Sequence, residues 1–242
     1  MKQKSIVYNN YLERHLVSLG FKRKGGDGFI REFNGVQQII NFLYSNQNEH
    51  FVRYYNIYVG VSYPKVIEIG RQLECYTVGT IGTTIGYLTH EKTYKTWKVT
   101  DVISDTDLKM IVDDMYRCII DFAIPYLGRY SVTSNIINDM ESGLLINQAD
   151  ELHNLPIYYY LEGEKNHALN YMSHRLKSME QKTLQGETDD SFICNVYDKQ
   201  AIADNRHYRQ YQQFCESFIS YMEQGEGEES RGQSWCCDTT GK

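Results

Sequence analysis

This chain predicts an α+β fold: an antiparallel β-meander of five or six strands packed by helices, followed by a helical C-terminal extension. Three features carry that expectation. Asn34-Gly35 stands between alternating apolar runs, seven alternate, mostly apolar positions from Phe51 to Tyr63 hold one strand face, and helical periodicity dominates after Ser104. A type I′ turn needs positive φ at both central positions, which asparagine and glycine accept, so Asn34-Gly35 marks a hairpin.

The elements follow in order. Tyr8, Leu12, Leu16 and Leu19 share one stripe of a first helix over about 6–19, with His15 at its boundary. Gly20 closes that helix, because glycine tolerates the left-handed C′ conformation, and Lys22-Arg23-Lys24 opens an extended segment. Phe29, Arg31 and Phe33 alternate before the turn; Val36, Gln38, Ile40, Phe42 and Tyr44 alternate after it. A period of two means a half-buried antiparallel sheet. The longest strand puts Arg53, Tyr55, Ile57, Val59 and Val61 on one face and Tyr54, Asn56, Tyr58, Gly60 and Ser62 on the other. Pro64 ends it. The pattern over 65–74 fits either a short helix or a loop, and 76–89 reads as glycine-broken strand, followed by a short strand at Thr96-Trp97-Lys98-Val99.

Ser104 supplies an N-cap with acids in the first turn, and Leu108, Ile111, Met115, Ile119 and Phe122 form a helical stripe that Pro125 should kink or end. Another helix is expected over 132–141. Helices over 155–162 and 166–180 meet at a tight turn at Gly163, and a long helix over 201–223 carries Tyr208, Tyr211, Cys215, Phe218 and Met222 at three- and four-residue spacing. The expected layout is an α+β domain over 1–143, a helical extension over 144–223, and a disordered tail over 224–242 rich in Gly, Glu and Ser.

Composition excludes several classes of function. A net charge of −6 gives no global basic field for phosphate backbones, so nucleic acid is not expected as the principal partner. No run approaches the roughly 18 apolar residues of a membrane span, and no leader-like apolar region opens the chain, so a soluble cytoplasmic protein with no membrane contact is expected. The 6 cysteines form no C-x-x-C pair, and Cys118 and Cys215 fall on apolar helix stripes as small hydrophobes. The 21 tyrosines against 3 prolines suit both half-buried sheet faces and contact surfaces.

No motif supplies chemistry. The glycines at 79, 82 and 86 lack a following helix and a Gly-Lys-Ser/Thr step, so they read as a bent hairpin rather than a phosphate loop. His90-Glu91 has Tyr94 where a zincin needs its second histidine. His167 and His174 stand about 10 Å apart along a helix axis by helix rise, too far to share an ion. No catalytic residue, metal or cofactor is therefore expected.

Leu19-Gly20-Phe21-Lys22-Arg23-Lys24-Gly25, then Phe29-Ile30-Arg31, Val36 to Phe42 and Asn56-Ile57-Tyr58-Val59-Gly60-Val61 together resemble a bacterial family catalogued as domain of unknown function 4304. Cys75, Ile81-Gly82, Trp97 and Ile124-Pro125-Tyr126-Leu127 fit the same pattern, which covers about 8–143. Lys98 departs from it, standing where a second aromatic is common. The resemblance implies a bacterial protein encoded near toxin genes and assigns no activity.

The expected function is a non-enzymatic cytoplasmic binding protein of the toxin-neutralising immunity type, with Tyr54 and Tyr58 as anchors on the tyrosine-bearing sheet face. The alternative is an enzyme or small-ligand protein whose pocket lies between sheet and helices, lined by Arg53, Tyr55 and Trp97. Residue patterns leave the partner and the oligomeric state open.

Overall fold

The structure, a computed structural model, describes residues 10–46, 52–75, 79–145, 151–185 and 206–232. It divides into two compact units, Met1–Ile67 with Val78–Asp150 and Glu68–Thr77 with Glu151–Lys242. The division near 150 lies close to the expected boundary at 143, while the assignment of 68–77 to the second unit has no counterpart in the sequence pattern.

In the first unit, α1 (Asn10–Ser18) leads to β1 (Lys22–Arg23), β2 (Gly28–Phe33), β3 (Val36–Ser45) and β4 (Val52–Ser62). Leu12 and Leu16 of α1 are buried as the stripe requires. Gly20 ends the helix at φ 86°, with Phe21 N–H bonded to the Leu16 carbonyl at 3.0 Å. The hairpin is as the dipeptide dictates: Asn34 has φ 50°, Gly35 has φ 78°, and Phe33 pairs with Val36. β4 is the longest strand, followed by α2 (Pro64–Gln72), which resolves the ambiguous segment as helix with Pro64 in the first turn, where a missing N–H costs nothing.

β5 (Thr80–Thr84) and β6 (Trp97–Thr100) both pair antiparallel with β4, β5 along Tyr58–Ser62 and β6 along Val52–Tyr55. The sheet order is thus β1-β2-β3-β4-β5 with β6 also on β4. Strand character does not extend to Thr89: a 3-10 turn at Ile85–Leu88 takes the chain off the sheet between the two short strands. At Gly86 an added Cβ would lie 2.2 Å from the Thr93 carbonyl, so only glycine lets the returning loop cross there.

Three helices then pack on one face. α3 (Asp105–Cys118) is capped by Ser104, whose hydroxyl accepts from the Asp107 N–H at 3.1 Å. Pro125 neither ends nor breaks the helix. The backbone widens into a π-helical stretch at Ile119–Ala123 and resumes as α4 (Ile124–Arg129), giving the proline ring room against the preceding turn. α5 (Thr133–Glu141) follows. Its Asp139 accepts hydrogen bonds from Arg129 Nε (2.9 Å), Arg129 Nη2 (2.7 Å) and the Tyr130 hydroxyl (2.8 Å), tying α5 back to α4.

The second unit is a helical assembly of α6 (Glu151–Leu161), α7 (Lys165–Gln185) and α8 (Arg206–Gly232). α6 starts earlier than its pattern predicts and keeps Pro156 inside it, and it is buried on nearly every side from Leu152 to Tyr159. His153 meets Tyr211 and Phe214 edge-on, and Tyr160 meets Phe218 and Tyr221 in the same way. Toward α7, Arg175 and the Tyr171 hydroxyl both donate to Glu151. Cys215 is buried, and that burial pushes its thiol up to about 12, so it is packing rather than nucleophile. α8 runs on to Gly232, past Glu223, where its sequence pattern ends. Trp235-Cys236-Cys237 and Cys194 lie outside the described residues, and of the polar linker expected over 185–190 only Gln185 is described, as the last residue of α7.

Hydrogen bonds from Arg129 and Tyr130 outweigh burial and hold the Asp139 carboxyl below its ordinary value. The unfolded chain therefore takes up the proton first on acidification, so this stabilisation is present at neutral pH and is lost as pH falls below about 4. Asp139→Asn should cost about 1–3 kcal/mol at pH 7 in denaturant melts, with the gap to wild type closing at acid pH. In the second unit both amide atoms of fully buried Asn154 lack a partner. Asn154→Leu should raise Tm, because an apolar replacement removes a buried, unsatisfied amide worth roughly 1–3 kcal/mol; a lower Tm would show that the amide is satisfied.

Candidate functional site

Alternation along β4 sends its two sets of side chains to different environments. Tyr55, Ile57, Val59 and Val61 are fully buried. Tyr54 and Tyr58 on the opposite face are only half-buried. Register extends that second face across the sheet: Leu43 lies opposite Asn56, Asn41 opposite Tyr58, Ile39 opposite Gly60, and Ile30 opposite Ile39. Ile30, Ile39 and Asn41 are half-buried, and Leu43 is 49% exposed. The charged residues at these register positions are Lys22, Glu32 and Lys98.

Tyr58 has a specific seat. Gly60 pairs with Gly82, and the phenol lies across both: an added Cβ would sit 3.0 Å from Tyr58 Cε1 at Gly60 and 2.2 Å from the Tyr58 hydroxyl at Gly82. Burial raises the Tyr58 pKa, so the hydroxyl stays neutral and able to donate. Beside it, Lys98 Nζ stands 5.6 Å from the centre of the Tyr54 ring, a cation over an aromatic face. Asn56 is 3% exposed; its Nδ2 donates to the Lys95 carbonyl at 2.9 Å while its Oδ1 has no partner. Thr84 Oγ1, opposite Tyr58, is likewise buried and without a partner.

Arg53, Tyr55 and Trp97 do come together, on the helix-packed face. Tyr55 pairs with Trp97 in register, and the Arg53 guanidinium stands 5.0 Å from the centre of the Tyr44 ring. Yet Tyr55 is 0% and Trp97 is 6% exposed, so they form packed core. Trp97 Nε1 donates to Asp114 Oδ2 at 2.8 Å, and Lys95 Nζ lies 3.1 Å from the same oxygen and 3.4 Å from Cys118 Sγ. Burial pushes the Asp114 carboxyl up, but hydrogen bonds from Trp97 and Lys95 outweigh it and leave it below its ordinary value. Burial also raises the Cys118 thiol more than Lys95 lowers it. A charged Asp, a charged Lys and a protonated thiol make a structural cluster with no group poised for acid–base or nucleophilic work at neutral pH. Among the described residues, no group of three or more His, Cys, Asp and Glu could hold a metal ion.

Sequence reasoning named Tyr54, Tyr58, Arg53, Tyr55 and Trp97 and missed the glycine pair that seats Tyr58. The signal was present, since Gly60 alternates with Tyr58; its partner Gly82 became identifiable only with the strand register.

Gly82→Ala should push the Tyr58 ring off its seat and cost about 1–3 kcal/mol, as overpacking does. The same change made on a Tyr58→Ala background should cost less, a coupling that a double-mutant cycle in denaturant melts would read. Additive costs would show that the ring does not depend on the glycines.

No curated protein and no solved structure matches the chain significantly. Residues 12–129 match the family model described as Domain of unknown function (DUF4304). That span begins in α1, contains the whole sheet and ends with α4. Over residues 12–129 the chain is thus similar to the DUF4304 domain.

Proposed function

We propose that this chain is a non-enzymatic binding protein, of the toxin-neutralising immunity type, that meets a protein partner through the half-exposed face of its sheet. The observation that carries the reading is the composition of that face. A sheet face turned to water is normally polar, whereas this one presents Ile30, Ile39, Leu43, Tyr54 and Tyr58 with few charges among them. Apolar and aromatic side chains at the centre of a patch are what protein interfaces use as anchors. Tyr58, held by its glycine seat, loses little freedom on contact, which favours binding.

Charge supports a role in approach rather than in contact. The chain carries −6 overall, and Asp105, Asp107 and Asp113 stand on α3, away from the open face. An acidic field of this kind steers a basic partner and speeds association more than it deepens affinity. The alternative pocket lined by Arg53, Tyr55 and Trp97 has two of its three side chains packed shut. A cytoplasmic bacterial setting fits the same reading.

The test is protection. Co-expression with the protein encoded beside it should spare cells from that protein's toxicity and yield a complex on purification. Tyr54→Ala with Tyr58→Ala should keep the fold but weaken the complex by about 2–4 kcal/mol and abolish protection. A folded double variant that still protects would sink the sheet face as the contact surface, and a wild-type chain that forms no complex would sink the immunity reading itself.

A further inference from the structure

The second unit contains a groove of about 300 Å³ walled by Gln72, Leu73 and Glu74 on one side and by Gln213, Ser217, Ser220, Tyr221 and Gln224 of α8 on the other. That volume falls at the small end of sites that hold a bound molecule. Its chemistry is distinctive: amides and hydroxyls dominate, one carboxylate is present, and Tyr221 supplies an aromatic wall. The ring is held in place, stacked with Phe218 at 6.2 Å between centroids and met edge-on by Tyr160 at 5.8 Å.

A second observation points to the same place. The ends of α1, α5, α6 and α2 share one hydrogen-bond pattern, in which the residue after the left-handed position bonds back five residues. In the first three the left-handed residue is glycine, Gly20, Gly143 and Gly163; at the end of α2 it is Glu74, with φ 51°. A glutamate pays a backbone strain there that glycine avoids, and the residue so placed forms part of the groove wall.

We infer that this groove is a binding site for a neutral saccharide. Uncharged donors and acceptors on several walls match hydroxyls that both give and accept hydrogen bonds, the Glu74 carboxylate accepts from a pair of them, and a fixed aromatic ring packs against the apolar face of a sugar. An anionic ligand would find no cationic side chain in this lining, a cationic one would meet only the exposed Glu74 carboxylate, and an apolar one would strand the amides.

The groove is built from residues of the second unit alone and shares none with the sheet face, so its test does not depend on the toxin partner. Maltose and N,N′-diacetylchitobiose should each be titrated into the full-length, isotope-labelled chain, reading backbone amide shifts. Saturable shifts confined to 72–74 and 213–224 are expected with at least one of them. Gln213→Ala and Ser217→Ala should each weaken that binding by about fivefold, the loss of one hydrogen bond, with unchanged Tm. Glu74→Gly should raise Tm by relieving the backbone while weakening binding, a combination that a purely structural role would not give. The proposal is overturned if neither sugar gives saturable shifts, or if the shifts persist unchanged in all three variants.

Discussion

The side-chain amide of Gln38 ties the sheet to the helices that cover it. Placed on the apolar face of β3 and fully buried, it would be a heavy liability if any of its polar atoms went unmatched. None does. Its Oε1 accepts from Arg31 Nε at 2.8 Å and from Arg31 Nη2, while its Nε2 donates to the Ser131 hydroxyl at 2.7 Å and the Leu127 carbonyl at 3.2 Å. Arg31 then donates from Nη1 to the Leu19 carbonyl at 2.6 Å, satisfying a group left open by the end of α1. One amide therefore connects the first helix, two strands and the turn after α4. It fixes which helix covers which part of the sheet, which apolar contact alone, being non-directional, does not do.

That arrangement has a consequence for the opposite face. With helices committed to one side, the apolar residues of the other side remain half-exposed, and the glycine pair gives the Tyr58 ring its seat there. A side chain at Gly60 or Gly82 would displace the ring. The unpartnered Asn56 and Thr84 oxygens lie on this same face, beside the place where the chain leaves the sheet between β5 and β6.

The second unit is built on a different balance. Aromatic rings from α6 and α8 interlock along its length, and stacked pairs Tyr211–Phe214, Phe214–Phe218 and Phe218–Tyr221 run down one face of α8. Polar groups are nevertheless buried among them, Asn154 above all. Aromatic packing supplies the stability and leaves room for a residue that lowers it. Such a residue can specify the alignment of helices whose apolar faces would otherwise slide.

Local chemistry was enough to determine from sequence everything that depends on a residue and its near neighbours. Asn34-Gly35 dictated the hairpin, Gly20 the end of α1, Ser104 the start of α3, and the alternation in β4 which side chains face the core. Tyr54 and Tyr58 were placed on one face by the same period of two. What tertiary structure alone decided are contacts between distant segments. Gln38 could be assigned to an apolar face, yet its partners stand 89 and 93 residues away. Gly60 and Gly82 were each visible, but only the register makes them a pair. The continuity of the helix past Pro125 and the burial of Trp97 likewise depend on neighbours that no local pattern encodes. Sequence periodicity reports the direction in which a side chain points; only the folded chain supplies what it meets there.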